Sequence, residues 1–218
     1  MTPQMGLTGS ALLFVGLHFL LSHPLRASLV RAMGEGLFRA LYSFIALATF
    51  GGMIWYYHSI GREPQIWPVS ESYWIIGALL LWLGSILFVG SFVGNPALPG
   101  ARRPGGAPRG VFAITRHPMM WGFALWAITH LLVIATAKAL VFDSAIILLA
   151  LLGSAMQDRK KKALMGETWH EWSAQTAFVP FTRGLASPGL FAFLGGTVLL
   201  LIATWLHPMP VGPWRWIG

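Results

Sequence analysis

Three ionisable residues stand inside otherwise apolar stretches of this chain: His18, His130 and Asp143. If those stretches cross a bilayer, each such residue costs about 2.5–3.5 kcal/mol or more unless it is paired or put to use. Two neutral imidazoles can hold one metal ion from opposite sides, as in six-coordinate haem. The other role open to each is an interhelical hydrogen bond to a Ser, Thr or carbonyl group, and spacing alone favours that role. Zinc fits poorly, because no Cys and no neighbouring carboxylate completes a ligand set. Asp143 is expected near the outer end of its stretch, where it suits the capping of a helix start.

A second group of polar residues is Thr115-Arg116-His117-Pro118, with Asp158-Arg159 further along. Pro118 suits the first turn of a helix, where its missing N–H costs nothing. Free amides there, with Arg116 and His117 beside them, suit an anion or a carboxylate. The plainer role is a basic membrane anchor at a helix start. His23, His170 and His207 are expected at interfaces, in contact with solvent.

The elements that must carry these residues are membrane helices. Of 218 residues, 56% are hydrophobic and 10% charged, and the mean hydropathy is +0.65. A soluble domain carries roughly a quarter of its residues as charged groups, so lipid must act as part of the solvent. A span needs about 20 mainly apolar residues. Six segments qualify: Gly6–Leu25, Leu37–Tyr57, Tyr73–Gly94, Met119–Ala135, Leu140–Met156 and Pro188–Leu206. The fold expected is all-α, a polytopic membrane helix bundle of about six transmembrane helices forming a single domain over residues 1–218. Asn95–Gly110, punctuated by Pro96, Pro99, Pro104 and Pro108, is expected to be a loop. No basic n-region precedes the first apolar run, so that run is expected to be a span and not a cleaved signal.

Charge placement gives an orientation. Arg26, Arg31 and Arg39, then Arg102, Arg103, Arg109 and Arg116, then Arg159, Lys160, Lys161, Lys162 and Arg183 fall at alternate connections. The opposite connections and the C-terminal end hold only Arg62, Lys138 and Arg215. The positive-inside rule then places the basic loops in the cytoplasm and both termini outside. In a bacterium this describes a multi-pass inner-membrane protein with periplasmic termini. The net charge of +8 therefore reflects topology and anionic headgroups rather than nucleic acid, for which no soluble surface remains. The absence of Cys excludes disulfides and thiolate chemistry.

Asp158 to Thr176 is too polar to span. Trp169 and Trp172, i and i+3, predict a helix at the cytoplasmic interface, either as a surface anchor or as part of the chemistry. Trp55, Trp67, Trp74, Trp214 and Trp216 fall near span ends, as belt residues do. Gly9, Gly16, Gly51, Gly52, Gly77, Gly84, Gly122, Gly195 and Gly196 are expected to let helices approach closely. Within this topology His18 and His130 each lie about twelve residues into a span from opposite ends, roughly 18 Å at 1.5 Å per residue. In a core about 30 Å thick their depths then differ by about 6 Å.

At these motifs the chain resembles a known family. Gly16-Leu17-His18, Gly34-Glu35-Gly36-Leu37-Phe38-Arg39-Ala40-Leu41-Tyr42-Ser43 and His117-Pro118-Met119-Met120-Trp121-Gly122 resemble NnrU-family membrane proteins. So do Leu125-Trp126 and His130-Leu131-Leu132. Ile114 to Pro118, Asp158-Arg159, Gly166-Glu167 and Val179-Pro180-Phe181 are similar to the plant and cyanobacterial branch of the family, the 15-cis-zeta-carotene isomerases. The likeness covers roughly residues 12–186 and leaves the last span uncovered. It implies haem b, an iron cofactor, held between His18 and His130, with His58 at the place of a further histidine that is an alternate ligand in that branch. It implies a lipid-soluble polyene of carotenoid type as substrate, isomerised from cis to trans. Ala127 stands where the isomerases have a Cys, which removes any ligand exchange through Cys.

A wider resemblance is to membrane methyltransferases of the isoprenylcysteine type, which share Arg-His-Pro opening a helix. It would centre an S-adenosylmethionine site on Arg116, His117 and Asp158, with Gln157-Asp158 replacing an acidic pair. The family name also carries an association with nitric oxide and denitrification, which implies a non-enzymatic accessory role with a membrane-protein partner as a third alternative.

Overall fold

A computed structural model describes residues 2–96 and 106–217; Pro99, Arg102, Arg103 and Pro104 of the expected loop lie outside the described residues. Nine helices and no strand occur among the described residues: α1 Pro3–Ser22, α2 Arg26–Ser59, α3 Glu71–Gly90, α4 Val111–Ile114, α5 Pro118–Ile134, α6 Ala137–Met165, α7 Glu167–Gln175, α8 Leu190–Trp205 and α9 Trp214–Ile217. Of these, α1, α2, α3 and α6 are long and apolar enough to cross a membrane, while the apolar α5 and α8 are shorter, at 17 and 16 residues. The all-helical, membrane-embedded character expected from composition is what the chain folds into.

Boundaries differ from the apolar runs where charged residues extend a helix. α2 begins at Arg26, not near Leu37, and runs 34 residues, broken at Gly34 with φ 81° and ψ 160°. Six of the eight residues of Arg26–Met33 are Arg, Ala, Leu or Met, which favour helix, so the expected loop is helical. Glycine accepts the positive φ at the break without strain. α6 likewise continues through Asp158 to Met165, making 29 residues, and a Gly166 linker with φ 54° separates it from α7.

The chain packs as two compact units: Met1–Pro68 with Ile134–Leu149, and Val69–Val133 with Ala150–Gly218. In the first, α1 lies along α2. Rings connect the first half of α6 to α2 and α1, with Tyr57 on Phe142 at 5.3 Å, Phe142 on Phe50 at 5.9 Å and Phe50 on Phe14 at 5.5 Å. Asp143 is 2% exposed and well inside α6, so it is not the cap expected of it. Thr136 takes that place, accepting the amide of Ala139 at 3.3 Å. The Lys138 ammonium donates to the carbonyls of Ile60 and Gly61, both at 3.0 Å.

In the second unit α3 is central, packed along α8 and against α4. A β-carbon at Gly196 would run into the Ile86 backbone, and one at Gly84 or Gly122 would meet the other residue's carbonyl. Gly52, Gly77 and Gly195 also face close neighbours, whereas Gly9, Gly16 and Gly51 face open space and mark no close approach. Trp169 and Trp172 are 1% and 8% exposed and pack among Ile86, Leu87, Val111, Phe112 and Ile114. Their role is in the protein core and not as surface anchors.

Candidate functional site

His18 is half-buried on α1. Its Nδ1–H donates to the Phe14 carbonyl, one turn earlier on the same helix, at 2.6 Å. His130 is arranged in the same way on α5, with Nδ1–H donating to the Trp126 carbonyl at 2.9 Å. A carbonyl can only accept, so each bond fixes the proton on Nδ1 and leaves the Nε2 lone pair available. The partner expected from spacing was a group on another helix; both imidazoles use their own helix instead. Each also has a ring contact with the aromatic residue whose carbonyl it uses: Phe14, edge-on at 4.5 Å from His18, and Trp126, tilted at 4.1 Å from His130.

A histidine that ligates a metal almost always donates its other ring N–H to a carbonyl, carboxylate or water, which fixes the tautomer and the plane of the ring. Both residues meet that condition and would offer Nε2 to an iron centre. Among the described residues no group of three or more His, Asp or Glu side chains is placed to hold a metal ion. A porphyrin iron needs only axial ligands from the protein.

The remaining histidines differ. His58 is exposed in the last turn of α2, its ring edge-on to Tyr57 at 5.8 Å. His23 was expected to be solvated, but its Nε2 is buried without a partner while Ser22 Oγ contacts its Nδ1 at 2.8 Å. His170 and His207 are exposed, as expected.

Arg116, His117 and Asp158 do come together. Arg116 Nε donates to Asp158 Oδ2 at 2.8 Å, and Nη2 lies 2.6 Å from the same oxygen. His117 Nε2–H donates to Oδ1 at 2.9 Å. Arg116 also reaches the Thr176 carbonyl through Nη1 at 3.1 Å, and its backbone N–H donates to Ala177 O at 2.8 Å. Thr115 Oγ1 and Trp121 Nε1 both donate to Phe178 O at 2.8 Å. Phe181, at φ 64°, donates its N–H to Ile114 O at 3.2 Å. A bulky residue rarely holds a positive φ, and here it closes the turn that brings the segment back along α4. The carboxylate expected opposite Arg116 and His117 is thus the protein's own Asp158.

What fold and site define is a helical membrane protein with two imidazoles each bonded through Nδ1 to its own helix and one ionic cluster of Arg116, His117 and Asp158. A family model described as NnrU protein matches residues 6–214, and the chain belongs to that family. The match extends through the last apolar helix, past the end of the motif likeness near residue 186. The chain is also 28% identical over 167 residues to the chloroplastic 15-cis-zeta-carotene isomerase of Zea mays, covering 72% of this chain and 44% of the relative. The chain therefore spans less than half the length of that relative. No solved structure matches it.

Proposed function

We propose that this protein binds haem b through His18 and His130 and isomerises a lipid-soluble polyene, of carotenoid type, from cis to trans. The observation that carries this reading is the shared preparation of the two imidazoles, each with Nδ1–H committed to a carbonyl and Nε2 left available. Kinship with a protein named as a carotene isomerase supplies the reaction class. In this reading α5 and α8 complete a set of six spans, and α7 lies at the cytoplasmic interface. The basic connections face the cytoplasm of a bacterial inner membrane, with both termini periplasmic.

When bound, haem b supplies an iron centre able to lower the barrier to rotation about a conjugated double bond. The chain's own residues do the rest. His18 and His130 would hold the group through Nε2, and the Phe14 and Trp126 carbonyls keep the proton on Nδ1. Arg116, His117 and Asp158 satisfy one another, so this geometry favours haem ligation over S-adenosylmethionine binding at that cluster.

The test is an absorption spectrum of the detergent-purified protein from cells supplied with a haem precursor, oxidised and then reduced with dithionite. A sharp Soret band with resolved alpha and beta bands on reduction is expected, lost in both His18→Ala and His130→Ala. Colourless wild-type protein, or haem retained in both variants, overturns the reading.

A further inference from the structure

The bond from Nδ1 settles which nitrogen of His18 is free, but a single hydrogen bond leaves the ring able to tilt. Two aromatic side chains remove that freedom. Phe14 stands edge-on to the imidazole at an interplanar angle of 66°, and Tyr42 of α2 does so at 5.4 Å and 76°. Edge-to-face is an arrangement such rings prefer. Tyr42 rests on the buried Phe38 at 6.1 Å, and the Arg26 guanidinium lies 5.4 Å from the Phe38 ring. Arg26 Nη2 donates to Glu35 Oε1 at 2.7 Å, and Arg39 Nε donates to the same oxygen at 2.9 Å. Arg26 and Glu35 stand on either side of the break at Gly34. A continuous line of contacts therefore runs from the break in α2 to the imidazole on α1. Among the described residues His130 has a ring contact only with Trp126, from its own helix.

We propose that Tyr42 is the positioning residue of the His18 imidazole, and that the Arg26–Glu35 pair across the Gly34 break sets where Tyr42 stands. The consequence for a bound haem rests on the functional reading above; the grip on the ring does not. An axial imidazole held at one tilt gives one set of low-spin ferric EPR values, and a loosened one gives a spread.

The experiment uses the full chain in detergent, with and without added haem b. It compares wild type with Tyr42→Phe, Tyr42→Leu, Glu35→Ala and the control Phe44→Leu, which alters a 69% exposed ring on the same helix. Tyr42→Leu is expected to broaden the low-spin EPR signal and weaken haem retention roughly two- to tenfold, the span that one such ring pair is worth. Tyr42→Phe should behave as wild type, Glu35→Ala should shift the signal less, and Phe44→Leu should not move it. In haem-free protein, NMR of the His18 ring protons should lose the Tyr42 ring-current shift in Tyr42→Leu. If wild type holds no haem, the functional reading fails and this NMR comparison alone decides the proposal. His18 signals unchanged in Tyr42→Leu overturn it. If Tyr42→Leu does not accumulate, His18 ring shifts unchanged in Glu35→Ala overturn it.

Discussion

Two polar sites in this protein are built on opposite plans. Around Asp158, Arg116 donates to the carboxylate and to the Thr176 carbonyl, His117 donates to the same carboxylate through Nε2, and the side chain of His117 is 1% exposed. Around His18, one nitrogen is committed and the other is left without a hydrogen-bond partner among the described residues. Both sites are tied to short motifs, and both contain a histidine near a helix. The lesson is that charge matching separates the two: a buried cation and carboxylate that face each other hold segments together, whereas an uncharged imidazole bonded only to its own helix holds nothing else in place.

That contrast can be broken by mutation, with thermal melting and the Soret band as the paired measurements. The largest loss of stability is expected from Asp158→Ala, which leaves Arg116 charged and mostly buried with no counter-ion. Removing one partner of such a pair costs about 3–5 kcal/mol, so the variant should melt far lower or fail to accumulate. Next comes Arg116→Lys. The ammonium keeps the charge but cannot serve both Asp158 and the Thr176 carbonyl, and a hydrogen bond to a charged group is worth about 1.5–3 kcal/mol. It should melt lower while keeping its Soret band. Compared in haem-free protein, so that cofactor loss does not enter, the smallest effect on stability should come from His18→Ala and His130→Ala. Each loses one hydrogen bond to a carbonyl that also serves its helix, about 1 kcal/mol, or roughly 2–4 °C for a chain of this size, while the Soret band of haem-supplied protein disappears. A melting loss in His18→Ala as large as that in Asp158→Ala would erase the distinction.

Much of this was legible in the sequence because lipid imposes simple rules. The apolar runs located the helices, Pro118 marked the start of α5, and the Arg116–Asp158 cluster followed from its residues. What was not legible came from charges and from partners. Arg26 and Arg31 argue against a span yet sit comfortably in a helix, so the true start of α2 was hidden. Asp143 resembled a cap because an acidic residue early in a helix usually is one, but Thr136 holds that position. Trp169 and Trp172 carry the composition of an interface and the environment of a core, a difference set by α3 and α4 far away in sequence. His18 and His130 stood out as histidines within apolar runs, but their common use of the carbonyl at i−4 needed coordinates.

The length of α6 bears on how the protein is assembled. Its 29 residues measure about 43 Å, against about 30 Å of hydrocarbon. Past Met156, where the apolar run ends, nine residues remain, about 13 Å. Asp158 rides on that overhang, so its ion pair with Arg116 stands beyond the apolar run of the helix and not within it. Placing the apolar run of α6 in lipid therefore does not require Asp158 to enter it. The cluster can close afterwards, as a clasp fastened once the spans are in place.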